Sequence, residues 1–232
     1  MRTNVKIFAD GANLEAIAKH SNNSIVQGFT TNPTLMAKAG ITDYRGFAKE
    51  ALQIVGGKSI SFEVFADDDE GMKRQAREIA SWGDNVYVKI PAMKTTGEDN
   101  YEVMRQLAND GVKVNATAVF TTGQVGAISE ALMDHPSYIS VFAGRIGDAG
   151  GNVQFIMEWS STYMKGRPQE LLWASPRQVY DIVLAGAYGA HIITVTDEIL
   201  KKVGSLGKGL EQFSLETCQM FYNDAKASGF TL

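Results

Sequence analysis

The chain has 232 residues, of which 44% are hydrophobic and 21% charged, with a formal net charge of −4. That length buries a sizeable core and fits one large domain or two small ones. The acidic balance leaves no footprint for nucleic acid or an acidic membrane, and a single cysteine excludes an intrachain disulfide or a cysteine-based metal cluster. That residue, Cys218, lies in a helical pattern and is expected in the core. Residues 1–6 are polar and lead straight into a strand, and no apolar run has membrane-spanning length, so a cytoplasmic location is expected.

Residues 5–9 read as a first strand, ending at Asp10-Gly11-Ala12, with Asn13 placed to cap a helix running through Lys19. The next strand-like run, 25–30, ends in Thr31-Asn32-Pro33-Thr34, a turn before a short helix. Helical spacing over 44–54 aligns Phe47, Ala51 and Ile54, and Gly56-Gly57 stops it. A third strand is expected over 59–66, with Glu63 on the face opposite Ile60, Phe62, Val64 and Ala66. The acidic run Asp67-Asp68-Asp69-Glu70 lacks the spacing of an oxygen-ligand loop. It suits the N-terminus of a helix over 72–82. The fourth strand, 86–91, carries Lys89 in an otherwise apolar setting.

A helix over 100–109, stopped by Asp110-Gly111, precedes a fifth strand over 112–120 with Asn115 and Thr117. After a helix over 123–133, a sixth strand over 138–146 carries Phe142 and Arg145, followed by a loop over 147–151 and a helix over 153–164. The seventh strand, 171–174, ends at Ser175-Pro176-Arg177; a helix over 178–188 and an eighth strand over 191–195 follow. Helices over 198–203 and 215–227 finish the chain. Between them, Gly204-Ser205-Leu206-Gly207-Lys208-Gly209 lacks phosphate-loop spacing and follows a helix rather than a strand, so it reads as a connection. The last helix gathers Leu215, Cys218, Phe221 and Tyr222 on one face, which suits packing on the barrel or on a neighbouring subunit. His20, His135 and His191 are scattered, without ligand spacing.

Eight strands alternating with helices predict an α/β fold, a (β/α)8 TIM barrel. It is expected as a single domain over 1–232, with 204–232 as a C-terminal helical extension. An open doubly wound sheet is the structural alternative. In a barrel, catalytic groups come from the carboxyl ends of the strands and the loops after them. The unusual polar residues fall there: Asp10, Thr31, Asn32, Glu63, Lys89, Asn115, Thr117, Arg145, Ser175 and Arg177. A buried lysine without a partner sheds its proton, and the neutral amine attacks carbonyl carbons to give a Schiff base. Each residue alone has a plain reading: Lys89 as a strand-end lysine reaching water, Glu63 as its salt-bridge partner, Asp10 and Asn32 as caps. Together they make a polar pocket with two carboxylates for proton transfer and two arginines for an anion.

On these segments the chain resembles the transaldolase family. Gly28-Phe29-Thr30-Thr31-Asn32-Pro33-Thr34-Leu35 is similar to its Thr-Thr-Asn-Pro signature, and Val86 to Pro91 to its Schiff-base lysine segment. Ile60 to Val64 resembles its glutamate strand, Val114 to Thr117 its Asn-x-Thr strand, and Ser140 to Ile146 with Ala174 to Arg177 its two phosphate-side segments. The short chain resembles the small transaldolases and the fructose-6-phosphate aldolases. The resemblance implies an imine on Lys89, proton transfer by Asp10, and a water held by Glu63 and Thr117. It implies contacts from Thr31, Asn32 and Asn115 to a dihydroxyacetone unit and a terminal phosphate on Arg145, Ser175 and Arg177, with no metal or cofactor. Phe142 and Glu63 side with transaldolases; fructose-6-phosphate aldolases carry Tyr and Gln there. The loop Ala92 to Gly97, the Trp173 to Arg177 segment and the Gly147 to Gly151 loop depart from the family pattern.

The expectation is transfer of dihydroxyacetone from a ketose phosphate to an aldose phosphate, with pentose-phosphate metabolism as the default setting. An aldolase releasing free dihydroxyacetone and a non-catalytic sugar-phosphate binding barrel are the alternatives. Partners are expected to be sugar phosphates and further copies of the chain in a ring or stacked ring, with the C-terminal helix reaching a neighbour, and neither nucleic acid nor membrane.

Overall fold

The computed structural model describes residues 4–231. Eight parallel strands close on themselves in chain order: β1 (Lys6–Asp10), β2 (Val26–Thr30), β3 (Ser59–Glu63), β4 (Val86–Pro91), β5 (Val114–Val119), β6 (Ser137–Val141), β7 (Gln169–Trp173) and β8 (Ile192–Thr196). The helices are α1 (Leu14–Ser21), α2 (Pro33–Lys38), α3 (Tyr44–Val55), α4 (Asp69–Ala80), α5 (Tyr101–Asn109), α6 (Thr122–Leu132), α7 (Ala143–Asp148), α8 (Val153–Tyr163), α9 (Asp181–Ala187), α10 (Asp197–Leu200) and α11 (Leu210–Ala227). This is the (β/α)8 barrel, not the open sheet. Short polar side chains start the helices. Asn13, Asn32, Asp43, Asp68 and Asn152 each accept a backbone N–H from the first turn, and Thr121 with Gln124 forms a reciprocal capping box. Among the described residues no helix is long and apolar enough to cross a membrane.

Strand alternation divides the buried residues into two cores. Ile60, Phe62, Val88, Ile90, Val114 and Ile139 belong to the sheet–helix core with Met72, Met104, Leu107 and Ile128 of the helices. The other faces point inward and fill the floor of the barrel with Phe8, Tyr138, Leu172 and Ile192, against which Tyr87 packs. Tyr87 and Tyr138 stack at 3.8 Å, and Phe8 meets Tyr138 edge-on at 5.8 Å. A Cβ at Gly28 would stand 2.6 Å from the Phe8 ring, so the glycine makes room for it. Each large apolar side chain so buried contributes roughly 1.5–3 kcal/mol over exposure.

Element ends shift, the last helix starting at Leu210 rather than 215 and the one before it ending at Leu200 rather than 203, and three further expectations change. The third strand ends at Glu63 rather than Ala66, because the Phe65 and Ala66 N–H groups donate to Gln75 Oε1, each at 2.9 Å. The sixth strand ends at Val141. Phe142 then begins a helix, so Arg145 and Asp148 are helical, not strand and loop. Gly144 allows this: a Cβ there would lie 1.6 Å from the Ser175 carbonyl oxygen, so only glycine lets α7 start against the turn after β7. Cys218 is exposed rather than in the core. It lies on α11, none of whose residues is buried, and Leu215, Phe221 and Tyr222 are open as well. An intrahelical apolar face therefore exists without burying itself against the barrel.

Candidate active site

The register sets the centre of the mouth. Glu63 of β3 pairs with Lys89 of β4, and Lys89 pairs with Asn115 of β5. Lys89 is 7% exposed, yet its ammonium is partnered: Nζ lies 2.9 Å from Glu63 Oε2 and donates to the Thr31 carbonyl at 2.9 Å. Buried charges persist only when paired and hydrogen-bonded in this way. The pair is also a proton-transfer couple, because passing one proton from Nζ to the carboxylate leaves a neutral amine and a neutral acid.

Asp10 ends β1, and Thr30 Oγ1 donates to its Oδ1 at 2.8 Å while also contacting Thr194 Oγ1. Burial pushes the Asp10 carboxyl above its ordinary value of 3.8. The nearby Lys89 charge and the Thr30 hydrogen bond oppose that rise, and Glu63 adds to it. A carboxyl raised by desolvation beside a charged partner is suited to taking up and returning a proton.

Asn115 is held on both sides: Nδ2 donates to Ser61 Oγ at 3.0 Å, and Oδ1 accepts from Ser140 Oγ at 2.6 Å. Thr31 offers the mouth its carbonyl, since its hydroxyl donates to the Ser61 carbonyl at 2.9 Å. Asn32 uses its side-chain oxygen for the α2 cap, accepting from Leu35 N at 2.9 Å, and its amide NH2 has no partner among the described residues. Thr117 is buried, and the β5–β6 register slips just beyond it, where Ala118 takes φ +55°. Ser175 takes φ +61° after β7. Left-handed backbone at non-glycine residues is strained, and at Ala118 and Ser175 it falls beside one expected site residue and on another, while Met133 takes it at the end of α6.

The rim above β6 and β7 is cationic. The Arg145 guanidinium lies 5.2 Å from the Phe142 ring centroid, and Phe142 also packs on Phe120 at 5.6 Å. Arg177 is paired with Asp148, its Nε donating to Oδ2 at 2.8 Å. That hydrogen bond holds the Asp148 carboxyl below its usual range, with Arg177 and Arg145 charge adding to the effect. Arg177 touches this carboxylate, and Arg145 acts on it through charge alone. Asp181 Oδ2 accepts from the Arg177 N–H at 2.6 Å and the Gln178 N–H at 3.2 Å, which fixes the turn.

The acidic run does more than complement the α4 dipole. Asp68 caps the helix, Asp67 accepts from the Thr95 N–H at 2.9 Å, and Asp69 lies 2.6 Å from Lys94 Nζ. Donating hydrogen bonds to Asp69 and Glu98 pushes the Lys94 ammonium up to about 12. The polar loop after β4 is therefore tied to the start of α4. Among the described residues no group of three or more His, Cys, Asp or Glu is placed to hold a metal ion.

Ser61, Ser140, Asp148 and Tyr44 escaped the sequence reading. Ser61 and Ser140 occupy the inward phase shared with Glu63 and Phe142, so carrying the alternation one step back along each strand finds them. Asp148 is three residues from Arg145, a spacing that means proximity only once the segment is helical.

The family profile described as transaldolase/fructose-6-phosphate aldolase matches residues 7–231. A protein named "Probable transaldolase" from Dehalococcoides mccartyi is 36% identical over 203 residues, covering 86% of this chain and 90% of that one. A second of the same name, from Methanococcus maripaludis, is 34% identical over 216 residues, covering 90% and 95%. Among solved structures, the tryptophan synthase A-subunit of Pyrococcus furiosus superposes with a TM-score of 0.60 at 11% identity, covering 91% of this chain and 95% of that one, a likeness of fold alone.

Proposed function

The chain belongs to the transaldolase/fructose-6-phosphate aldolase family, and on that premise we propose that it transfers a dihydroxyacetone unit from a ketose phosphate to an aldose phosphate through an imine on Lys89. The observation that carries the reading is the buried Lys89 ammonium, 2.9 Å from Glu63, in the same mouth as the burial-raised Asp10.

Glu63 takes a proton from Lys89, and the neutral amine adds to the C2 carbonyl of the donor. Glu63, with Thr117 holding a water, passes that proton to the C2 oxygen, then takes a second from the nitrogen and delivers it to the same oxygen, which leaves as water to give the iminium. Asp10 then takes the C4 hydroxyl proton. The C3–C4 bond breaks, its electron pair passes to the iminium as an enamine, and an aldose phosphate departs. An acceptor aldehyde reverses these steps: C3 attacks it and Asp10 returns the proton to the new hydroxyl. Asn32, through its free amide, Asn115 and the Thr31 backbone hold the dihydroxyacetone hydroxyls. Arg145, Ser175 and Arg177 take the phosphate, with Arg177 exchanging Asp148 for it. Phe142 offers the enamine no hydroxyl, which favours waiting for an acceptor over protonation and release of free dihydroxyacetone.

The exposed Leu210, Phe213, Leu215, Met220, Phe221 and Tyr222 of α11 support a homo-oligomer, a ring or stacked ring in which this helix reaches a neighbour. A monomer in sedimentation at micromolar concentration removes that part of the reading. A single cysteine suits a cytoplasmic enzyme of sugar-phosphate metabolism. Product analysis with fructose 6-phosphate tests the reaction. Transfer predicts one equivalent of released aldose phosphate without an acceptor and sustained turnover with one. Accumulation of free dihydroxyacetone without an acceptor assigns the chain to simple aldolase chemistry instead.

A further inference from the structure

One rung of the β2–β3 ladder is missing beside the buried lysine. In a parallel pair, a residue that donates to the carbonyl of one neighbour accepts, at its own carbonyl, the N–H two residues further along. Thr31 N–H donates to the Ser61 carbonyl at 3.0 Å, so its own carbonyl faces the Glu63 N–H. That bond does not form. The Glu63 N–H donates to the Tyr44 hydroxyl at 2.9 Å, and that hydroxyl donates to the Glu63 carbonyl at 2.8 Å. The Thr31 carbonyl is left for Lys89 Nζ. Tyr44 opens α3, outside the barrel, and its ring is held edge-on to Phe62 at 6.3 Å and Phe65 at 5.5 Å, and tilted on Trp82 at 5.9 Å. Burial keeps the phenol protonated, so it stays both donor and acceptor.

We infer that Tyr44 is a positioning residue: its hydroxyl replaces the missing rung, fixes the backbone that carries the Glu63 carboxylate, and frees the Thr31 carbonyl to hold the Lys89 ammonium. This rests on the proposed imine chemistry and deepens it. In Tyr44→Phe the ring packing stays. The Glu63 N–H turns back to the Thr31 carbonyl, and Lys89 loses one of its two partners.

The test is the rate of borohydride-trapped adduct formation on Lys89 with fructose 6-phosphate, per folded molecule as judged by circular dichroism. Tyr44→Phe is expected to slow trapping about tenfold, the scale of a modest misplacement of a catalytic group, with affinity for inorganic phosphate unchanged. Phe65→Ala removes packing from Tyr44 but keeps the hydroxyl, and is expected to trap at the wild-type rate. Wild-type trapping by Tyr44→Phe overturns the inference, as does equal slowing in both variants, which would make the effect one of packing. If the wild-type protein itself forms no adduct on Lys89, the functional reading has failed and the positioning role goes with it.

Discussion

The two ends of the barrel interior are built by the same strands and solve opposite problems. At the floor, Phe8, Tyr87, Tyr138, Leu172 and Ile192 fill the space with rings and aliphatic groups, and the Tyr138 hydroxyl donates to Ser59 Oγ at 3.1 Å. At the mouth, two residues further along β1 and β4, the inward positions carry Asp10 and Lys89. The floor gains free energy from burial, whereas the mouth spends some to desolvate charges and recovers only part through pairing. Stability and chemistry are thus separated by one turn of the strand pleat.

The largest effect expected at the mouth is that of Lys89→Met. It should lower turnover on the order of 10⁴-fold or more, the scale on which covalent nucleophiles fail, while circular dichroism stays native. Next is Asp10→Asn, expected to lower kcat by about 10²–10⁴-fold as a lost general base and yet to raise stability at neutral pH. The sign follows from the raised carboxyl. Below its ordinary value of 3.8 both folded and unfolded chains hold the proton. As pH climbs from 3.8 through the higher folded value the unfolded chain releases its proton first, so stability falls and stays lower above that value. Denaturant melts should therefore show Asp10→Asn ahead of wild type at neutral pH, with the gap closing in acid; a variant weaker at neutral pH would break the contrast between the two ends.

The floor should give the converse result. Phe8→Ala is expected to lose about 3–5 kcal/mol of stability, as large-to-small core changes do, with turnover per folded molecule near wild type. The smallest effect belongs to the rim. Asp148→Asn frees Arg177 from an exposed ion pair that solvent screens, so affinity for inorganic phosphate, read by titration calorimetry, should rise by no more than about fivefold. A fall would mean that Asp148 aims Arg177 rather than competing for it.

The barrel was legible because the period-two and period-3.6 segments alternate along the chain, and because Gly56-Gly57 and Asp110-Gly111 mark stops. Lys89 and Glu63 were legible as a pair because each is polar within an apolar strand. The end of the sixth strand was not legible, since the apolar run Val141-Phe142-Ala143 reads as a continuing buried strand, and the cause of the change, the close approach of Gly144 to Ser175, lies across two strands. Cys218 was misplaced because a helical face says which residues align, not whether anything covers them. Tyr44 left no local signal at all: its partner is a peptide group 19 residues away, exposed to it only where β2 turns aside.

Borohydride reduction in the presence of fructose 6-phosphate, followed by peptide mapping, decides whether the imine forms on Lys89. The expected result is a dihydroxyacetone-sized adduct on Lys89 that is absent from Lys89→Met. An adduct on another lysine such as Lys94, or none with either fructose 6-phosphate or sedoheptulose 7-phosphate, contradicts it.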